Sequence, residues 1–213
     1  MMIRAAMVSG VAGLATTAFA QDFSLWLEPS SMTPNGTFTV GVYGDADVGT
    51  AYLSGSFGLS VESLAGENQV SNITWDLHYG GGLGWAQYFD YGYGGDGTHL
   101  GTSFYQVIVP SCGMIFDCGI SYGELMGTFT IEMDPHAMGD YEISLLSAPD
   151  LDLPVPHTFE VYDETTGDLY NDSQGTLTLT GTAVTIVPAP AGLGSLLLCG
   201  LLASRRTRKE ARS

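Results

Sequence analysis

Gly119-Ile-Ser121-Tyr-Gly123 has the G-x-S-x-G spacing that, in hydrolases, raises a serine hydroxyl on a tight turn. That chemistry needs a strand before the turn, a helix after it and a parallel α/β sheet beneath. The chain instead continues as Glu124-Leu-Met-Gly-Thr-Phe-Thr-Ile, an alternating strand pattern, so the match reads as chance in a glycine-rich chain and no catalytic residue is assigned. The four histidines, His78, His99, His136 and His157, lack the i, i+4 pairing of a helical metal site and read as surface or strand positions. Carboxylates are better cation ligands. Asp163, Glu164, Asp168 and Asp172 crowd one turn region, while Asp45 and Asp47, like Asp150 and Asp152, stand two apart. Calcium takes six to eight oxygens, and the first of these groups is the candidate calcium site, against the blander reading of a solvated acidic face. A glycosidase needs one particular pair of carboxylates, and no pair stands out among so many.

The charge pattern narrows the function classes. All six basic residues lie in the two ends, at Arg4 and at Arg205, Arg206, Arg208, Lys209 and Arg212. Between Gln21 and Val187 there are 22 carboxylates and no Lys or Arg. Such a segment cannot neutralise phosphates, which excludes nucleic acid as a partner. Its self-repulsion calls for screening by salt or bound cations, as in a saline or divalent-rich exterior.

Period-two alternation points to strands at Thr37–Tyr43, Ser56–Glu62, Ile73–Tyr79, Leu125–Met133, Tyr141–Leu145, Phe159–Val161 and Thr176–Ile186. Turn residues separate them at Pro34-Asn35-Gly36, Gly66-Glu67-Asn68, Gly139-Asp140 and Thr166-Gly167-Asp168. Within residues 21–187 no stretch carries an apolar stripe at helical spacing for three turns. Eight or nine short antiparallel strands imply one all-β, two-layer sandwich over residues 21–187. Gly80 to Gly101 interrupts the rhythm with nine glycines and five aromatics, Trp85, Tyr88, Phe89, Tyr91 and Tyr93. The leading reading is a lid folded over the core. The functional alternative is a contact surface, with Trp85, Tyr88, Tyr91 and Tyr93 as candidate ligand contacts.

The ends read as processing signals. Arg4, an apolar run to Ala18 and the small residues Ala18 and Ala20 describe a signal peptide over residues 1–20, cleaved to leave Gln21 first. An exported domain meets an oxidising compartment, so Cys112 and Cys118 are expected to form a disulfide rather than half of a metal site. At the far end, an uncharged run precedes the arginine cluster. As a helix, residues 189–204 would span roughly 24 Å, slightly less than a bilayer core, with the cations left in the cytoplasm.

The order Val187-Pro188-Ala189-Pro190, apolar helix, then Arg205, Arg206 and Arg208 resembles the PEP-CTERM sorting signal of Gram-negative bacteria. That resemblance implies recognition and cleavage by an exosortase-type protease after signal peptidase has acted. It also implies transient anchoring in the inner membrane and delivery to the cell envelope or extracellular matrix. The family's usual Pro-Glu-Pro is Pro-Ala-Pro here, a departure that bears on cleavage. Pro34-Asn-Gly-Thr-Phe-Thr-Val-Gly-Val-Tyr, with Gly127-Thr-Phe-Thr-Ile and Gly139-Asp-Tyr-Glu-Ile, resembles cohesin-like and carbohydrate-binding sandwiches, alongside a jelly roll. The expectation is a non-catalytic surface or matrix protein. Its alternative is a carbohydrate-binding or cohesin-like adhesion module, with a polysaccharide or another surface protein as partner, and a glycan hydrolase stands a distant third.

Overall fold

The computed structural model describes residues 21–30, 36–49, 51–78, 85–106, 122–153, 156–163 and 165–187, with side chains except those at 85–88 and 106. They form thirteen strands: β1 (Gln21–Pro29), β2 (Thr37–Ala46), β3 (Ala51–Ser63), β4 (Val70–Leu77), β5 (Trp85–Asp90), β6 (Tyr93–Gly95) and β7 (Thr98–Gln106) come first. β8 (Leu125–Met133), β9 (Gly139–Ser147), β10 (Glu160–Tyr162), β11 (Leu169–Asn171), β12 (Gly175–Thr180) and β13 (Thr182–Ile186) complete the set. Two single 3-10 turns, Pro149–Leu151 and Asp172–Gln174, are the helical pieces among the described residues.

Alternation sorts these strands into two layers. The first sheet runs β12-β1-β2-β8-β4. In the second, β3 is central: β7 lines one side, while β10 and then β9 share the other, because thirteen residues are long enough for two partners. β5 and β6 both lie on β7, β11 on β10, and β13 on β9. Phe23, Leu25 and Leu27 from β1 and Phe38, Val40 and Val42 from β2 face inward from one sheet. Tyr52, Phe57, Leu59 and Val61 from β3 face them from the other. Burying each such side chain stabilises the fold by about 1.5–3 kcal/mol. Phe57 lies at the centre, edge-on to Trp75 at 5.4 Å and to Phe104 at 5.5 Å. Those T-shaped contacts set the positive rim of one ring against the negative face of the next.

Four sequence expectations need correction. A strand at Gln21–Pro29 precedes the first one expected. The sandwich is not wholly antiparallel, since β1 and β12 pair in parallel from Gln21↔Gly175 to Trp26↔Thr180. The run Thr176–Ile186 is two strands, because at Gly181 the chain crosses from the first sheet to β9 of the second. A Cβ at Gly181 would collide with the Ile143 carbonyl, so the crossing needs glycine. Lastly, Gly80 to Gly101 is not one loop: residues 85–90, 93–95 and 98–101 are strand.

Candidate functional site

The glycine-rich segment builds the most exposed aromatic feature. β5 lies against β7, with Phe89 opposite Ser103 and Asp90 opposite Thr102. Phe89 is 54% exposed and Tyr91 37%, and their rings stack at 5.7 Å with planes 18° apart. Leu100 and Tyr105, on neighbouring β7, are also exposed. Between the two rings Asp90 turns inward, its Oδ1 3.0 Å from Nε2 of His99. His99 is fully buried, edge-on to Phe129, and its Nδ1 accepts a hydrogen bond from the Gly101 N–H. Asp90 Oδ1 also accepts from the Gly92 N–H, while the Tyr91 N–H donates to the Gly101 carbonyl and Thr102 Oγ1 to that of Phe89. The pair is therefore presented by a hydrogen-bonded strand edge rather than a free loop.

Of the sequence candidates, Tyr91 is exposed in this pair. Tyr93 is half-buried against the core and donates its hydroxyl to the Val70 carbonyl, which fits the lid reading for that ring. The side chains of Trp85 and Tyr88 lie outside the described ones. Phe89 is not among the contacts expected from the sequence, and its place beside Tyr91 comes from the register of β5 on β7. His99 is on a strand as expected, but buried rather than at the surface.

The outer face of the first sheet is a second, different surface. Thr176, Thr178 and Thr180 on β12 stand beside Asp22, Ser24 and Trp26 on β1. Thr39 of β2, Thr130 of β8 and Thr74 of β4 form a row across three strands. Trp26 lies directly opposite Tyr43, their rings stacked at 5.9 Å and 16°. Trp26 Nε1 donates to Glu28 Oε1 at 3.1 Å. Beside the stack an open groove of about 360 Å³ is lined by Asp22, Ser24, Asp45, Asp47 and Thr178.

The acidic turn region divides. Asp163 and Asp168 close one hairpin, where Asp163 Oδ1 accepts the N–H groups of Thr165 and Thr166 and the Asp163 N–H donates to the Asp168 carbonyl. Asp172 faces elsewhere, accepting from the Thr158 N–H and lying 3.7 Å from His157 Nδ1. Among the described residues no three His, Cys, Asp or Glu side chains gather as a metal site. Glu164, Cys112 and Cys118, the processing residues Ala18 and Ala20, and the tail residues Pro188, Ala189, Pro190, Arg205, Arg206 and Arg208 lie outside the described residues; Val187 is exposed at the end of the domain. No helix of the described residues is long and apolar enough to cross a membrane. After Gly123 the chain enters β8, so the helix a nucleophile elbow needs is not there.

Two tyrosines are perturbed where the chain enters β8. Burial, then the Asp45 carboxylate and Tyr122, push the Tyr52 phenol well above its ordinary value, against opposing backbone hydrogen bonds at Gly123 and Gly44. Tyr52 donates to the Gly44 carbonyl, which also accepts the Gly123 N–H. Tyr122 is raised by burial first, then by Asp45 and Asp163, and donates to the Val48 carbonyl at 2.9 Å. Both hydroxyls pin turns between the sheets, which is a structural task.

No family model matches the chain, and no curated protein matches it. Solved structures do. The chain is similar to the sixth cohesin of scaffoldin B from Acetivibrio cellulolyticus, crystallised with a mutant Cel5 dockerin, at 15% identity and a TM-score of 0.43 over 75% of this chain and 96% of that one. It is similar to the seventh ScaB type I cohesin from Pseudobacteroides cellulosolvens at 11% identity and a TM-score of 0.45, over 80% and 95%. A non-cellulosomal cohesin from Archaeoglobus fulgidus matches at 12% identity and a TM-score of 0.37, over 78% and 91%.

Proposed function

We propose that this chain is an exported, non-catalytic adhesion module of the cell surface or matrix that docks another protein on the exposed edge of its second sheet. The carrying observation is the Phe89–Tyr91 pair: two parallel rings, both exposed, at the end of a strand held to β7 and, through Asp90, to a buried histidine. Aromatic side chains on a rigid support lose little entropy on docking, and such residues dominate interface energetics. Leu100 and Tyr105 are further exposed apolar side chains on the adjacent strand. A specific interface buries about 1,200–2,000 Å², so the partner must also reach beyond these four residues.

Signal-peptide removal and the PEP-CTERM-like tail, with signal peptidase and an exosortase-like protease as processing partners, supply the route to the surface in this reading. Calcium is a candidate cofactor only at the Asp163–Asp168 hairpin. Two measurements test the proposal. Cross-linking capture from envelope material should recover a protein with the native chain and lose it at least tenfold with the Phe89→Ala/Tyr91→Ala double variant; equal capture by both removes the assignment. Mass spectrometry of the surface-located protein should find Gln21 at the N-terminus and no peptide beyond about Ala191. Mature protein still carrying Arg205 to Ser213 would refute cleavage of the tail and leave a permanent anchor.

A further inference from the structure

We infer that the outer face of the five-stranded sheet is a separate binding platform for a cationic amino-sugar polysaccharide, a glucosamine polymer with free amines. This face is remote in character from the aromatic edge of the second sheet, and the inference does not rest on the adhesion reading.

Shape comes first. Neighbouring strands lie about 4.8 Å apart, so five of them make a platform roughly 19 Å wide. Small hydroxyls pave much of it, with Thr178, Ser24, Thr39, Thr130 and Thr74 each contributed by a different strand. Gly41, on β2, adds no side chain, and Leu125 and Tyr43 close over it. A sugar chain finds on such a face both hydroxyl partners and a ring to lie against. The Trp26–Tyr43 stack is that ring system, and both side chains are half-buried and so held in place. Aromatic surface packs on the apolar C–H faces of sugar rings.

Charge then selects among sugars. Asp22, Asp45 and Asp47 line the groove at one side of the stack and Glu28 borders the other. Glu132 and Asp76 stand on the same face further along. With no Lys or Arg between Gln21 and Val187, nothing offsets these carboxylates. The face therefore repels uronate-rich or sulfated glycans and also a second copy of this chain. An ammonium on each sugar would meet a carboxylate in the groove while its ring lies on Trp26 and Tyr43, a charge-assisted contact stronger than a neutral one.

The test is calorimetric titration of the full chain in detergent with a glucosamine hexamer, its fully N-acetylated counterpart, a cellulose hexamer and hexalysine. Saturable binding of the glucosamine hexamer is expected, at least tenfold tighter than the other three and weakening as salt rises. Trp26→Ala should weaken it at least tenfold. Should that variant fold poorly, Asp45→Asn/Asp47→Asn removes charge while keeping hydrogen-bond acceptors, and should cost the same order. The Phe89→Ala/Tyr91→Ala variant should bind the sugar as the native chain does, which separates this platform from the adhesion edge. No binding, equal binding of the acetylated or cellulose hexamer, or preference for hexalysine would each overturn the inference.

Discussion

The two sheets share one core yet turn opposite outer faces to their surroundings. On the first, hydroxyls, carboxylates and one aromatic stack lie open across all five strands. On the second, the centre is closed. Residues 148–153 lie over it, with Leu151 against Gly58 and Leu153 against Gly101, while the Ala148 N–H donates to Thr158 Oγ1 and the Ser56 N–H to the His157 carbonyl. There the Ser56 and Ser103 hydroxyls pair at 2.7 Å out of solvent. Glycine makes the approach possible. A Cβ at Gly58 would stand 2.6 Å from Leu151 Cδ1, and one at Gly101, where φ is +117°, 2.8 Å from Leu153 Cδ1. Elsewhere that sheet is exposed at its β5–β7 edge and, at the other end, at Glu62 and Glu142. The contrast separates two uses of a β-surface. Where side chains are small and polar, the sheet itself can meet a ligand; where they are absent, another part of the same chain fills the space.

Gly101→Val should break this contrast most severely. It forces a β-branched residue into the left-handed region and into Leu151 and Leu153, so a loss of about 3 kcal/mol is expected in urea denaturation. A loss below about 1 kcal/mol would mean residues 148–153 are not seated by glycine. Tyr52→Phe probes the interior that the faces share. It removes one of two donors to the Gly44 carbonyl and should cost about 1 kcal/mol at neutral pH. A raised phenol also predicts alkaline sensitivity. The neutral form is favoured in the fold, so its stabilisation is fully present below the ordinary tyrosine value of about 10 and is lost as pH rises above it. Urea midpoints measured from neutral pH to about 11 should fall steeply for the native chain and less so for Tyr52→Phe.

Charge should act more gently. Raising NaCl from about 10 to 500 mM screens carboxylates that have no internal counter-charge, and about 1 kcal/mol of stabilisation, or roughly 2–4 °C in Tm, is expected. A Tm that is flat or falls with salt, and is also indifferent to calcium, would show the charges to be already well separated in the fold. Smallest of all, Thr130→Val on the open face should change stability by less than about 0.5 kcal/mol. A larger loss would show that the threonine row is structural rather than a surface left for a ligand.

Strands with clean alternation, such as β2 with Phe38, Val40 and Val42 buried, stand where the sequence places them because one face of each meets the core. β1 has the same signal in Phe23, Leu25 and Leu27, but it begins directly at the expected processing site, which obscures it. β5 to β7 are hidden because glycines interrupt the period-two pattern, and because register shifts at Gly58 and Tyr88 displace the pairing. The parallel partner of β1 cannot be read at all. Nothing local in Gly175–Thr180 says which distant strand it will join. The same is true of the two surfaces: Trp26 and Tyr43 are 17 positions apart, and only the β1–β2 register places them side by side.

Gly181 has a mechanical consequence. The described residues end at Val187, and whatever holds the chain beyond it would transmit tension into β13 first. β13 is held by five register pairs to β9, and β12, just behind Gly181, by six to β1. A pull along β13 loads its hydrogen bonds side by side in shear, so they must yield together. Only then would the load reach β12, in a different sheet and against a different neighbour. A protein tethered at one end while gripping a partner would thus have two latches in series, separated by a single glycine.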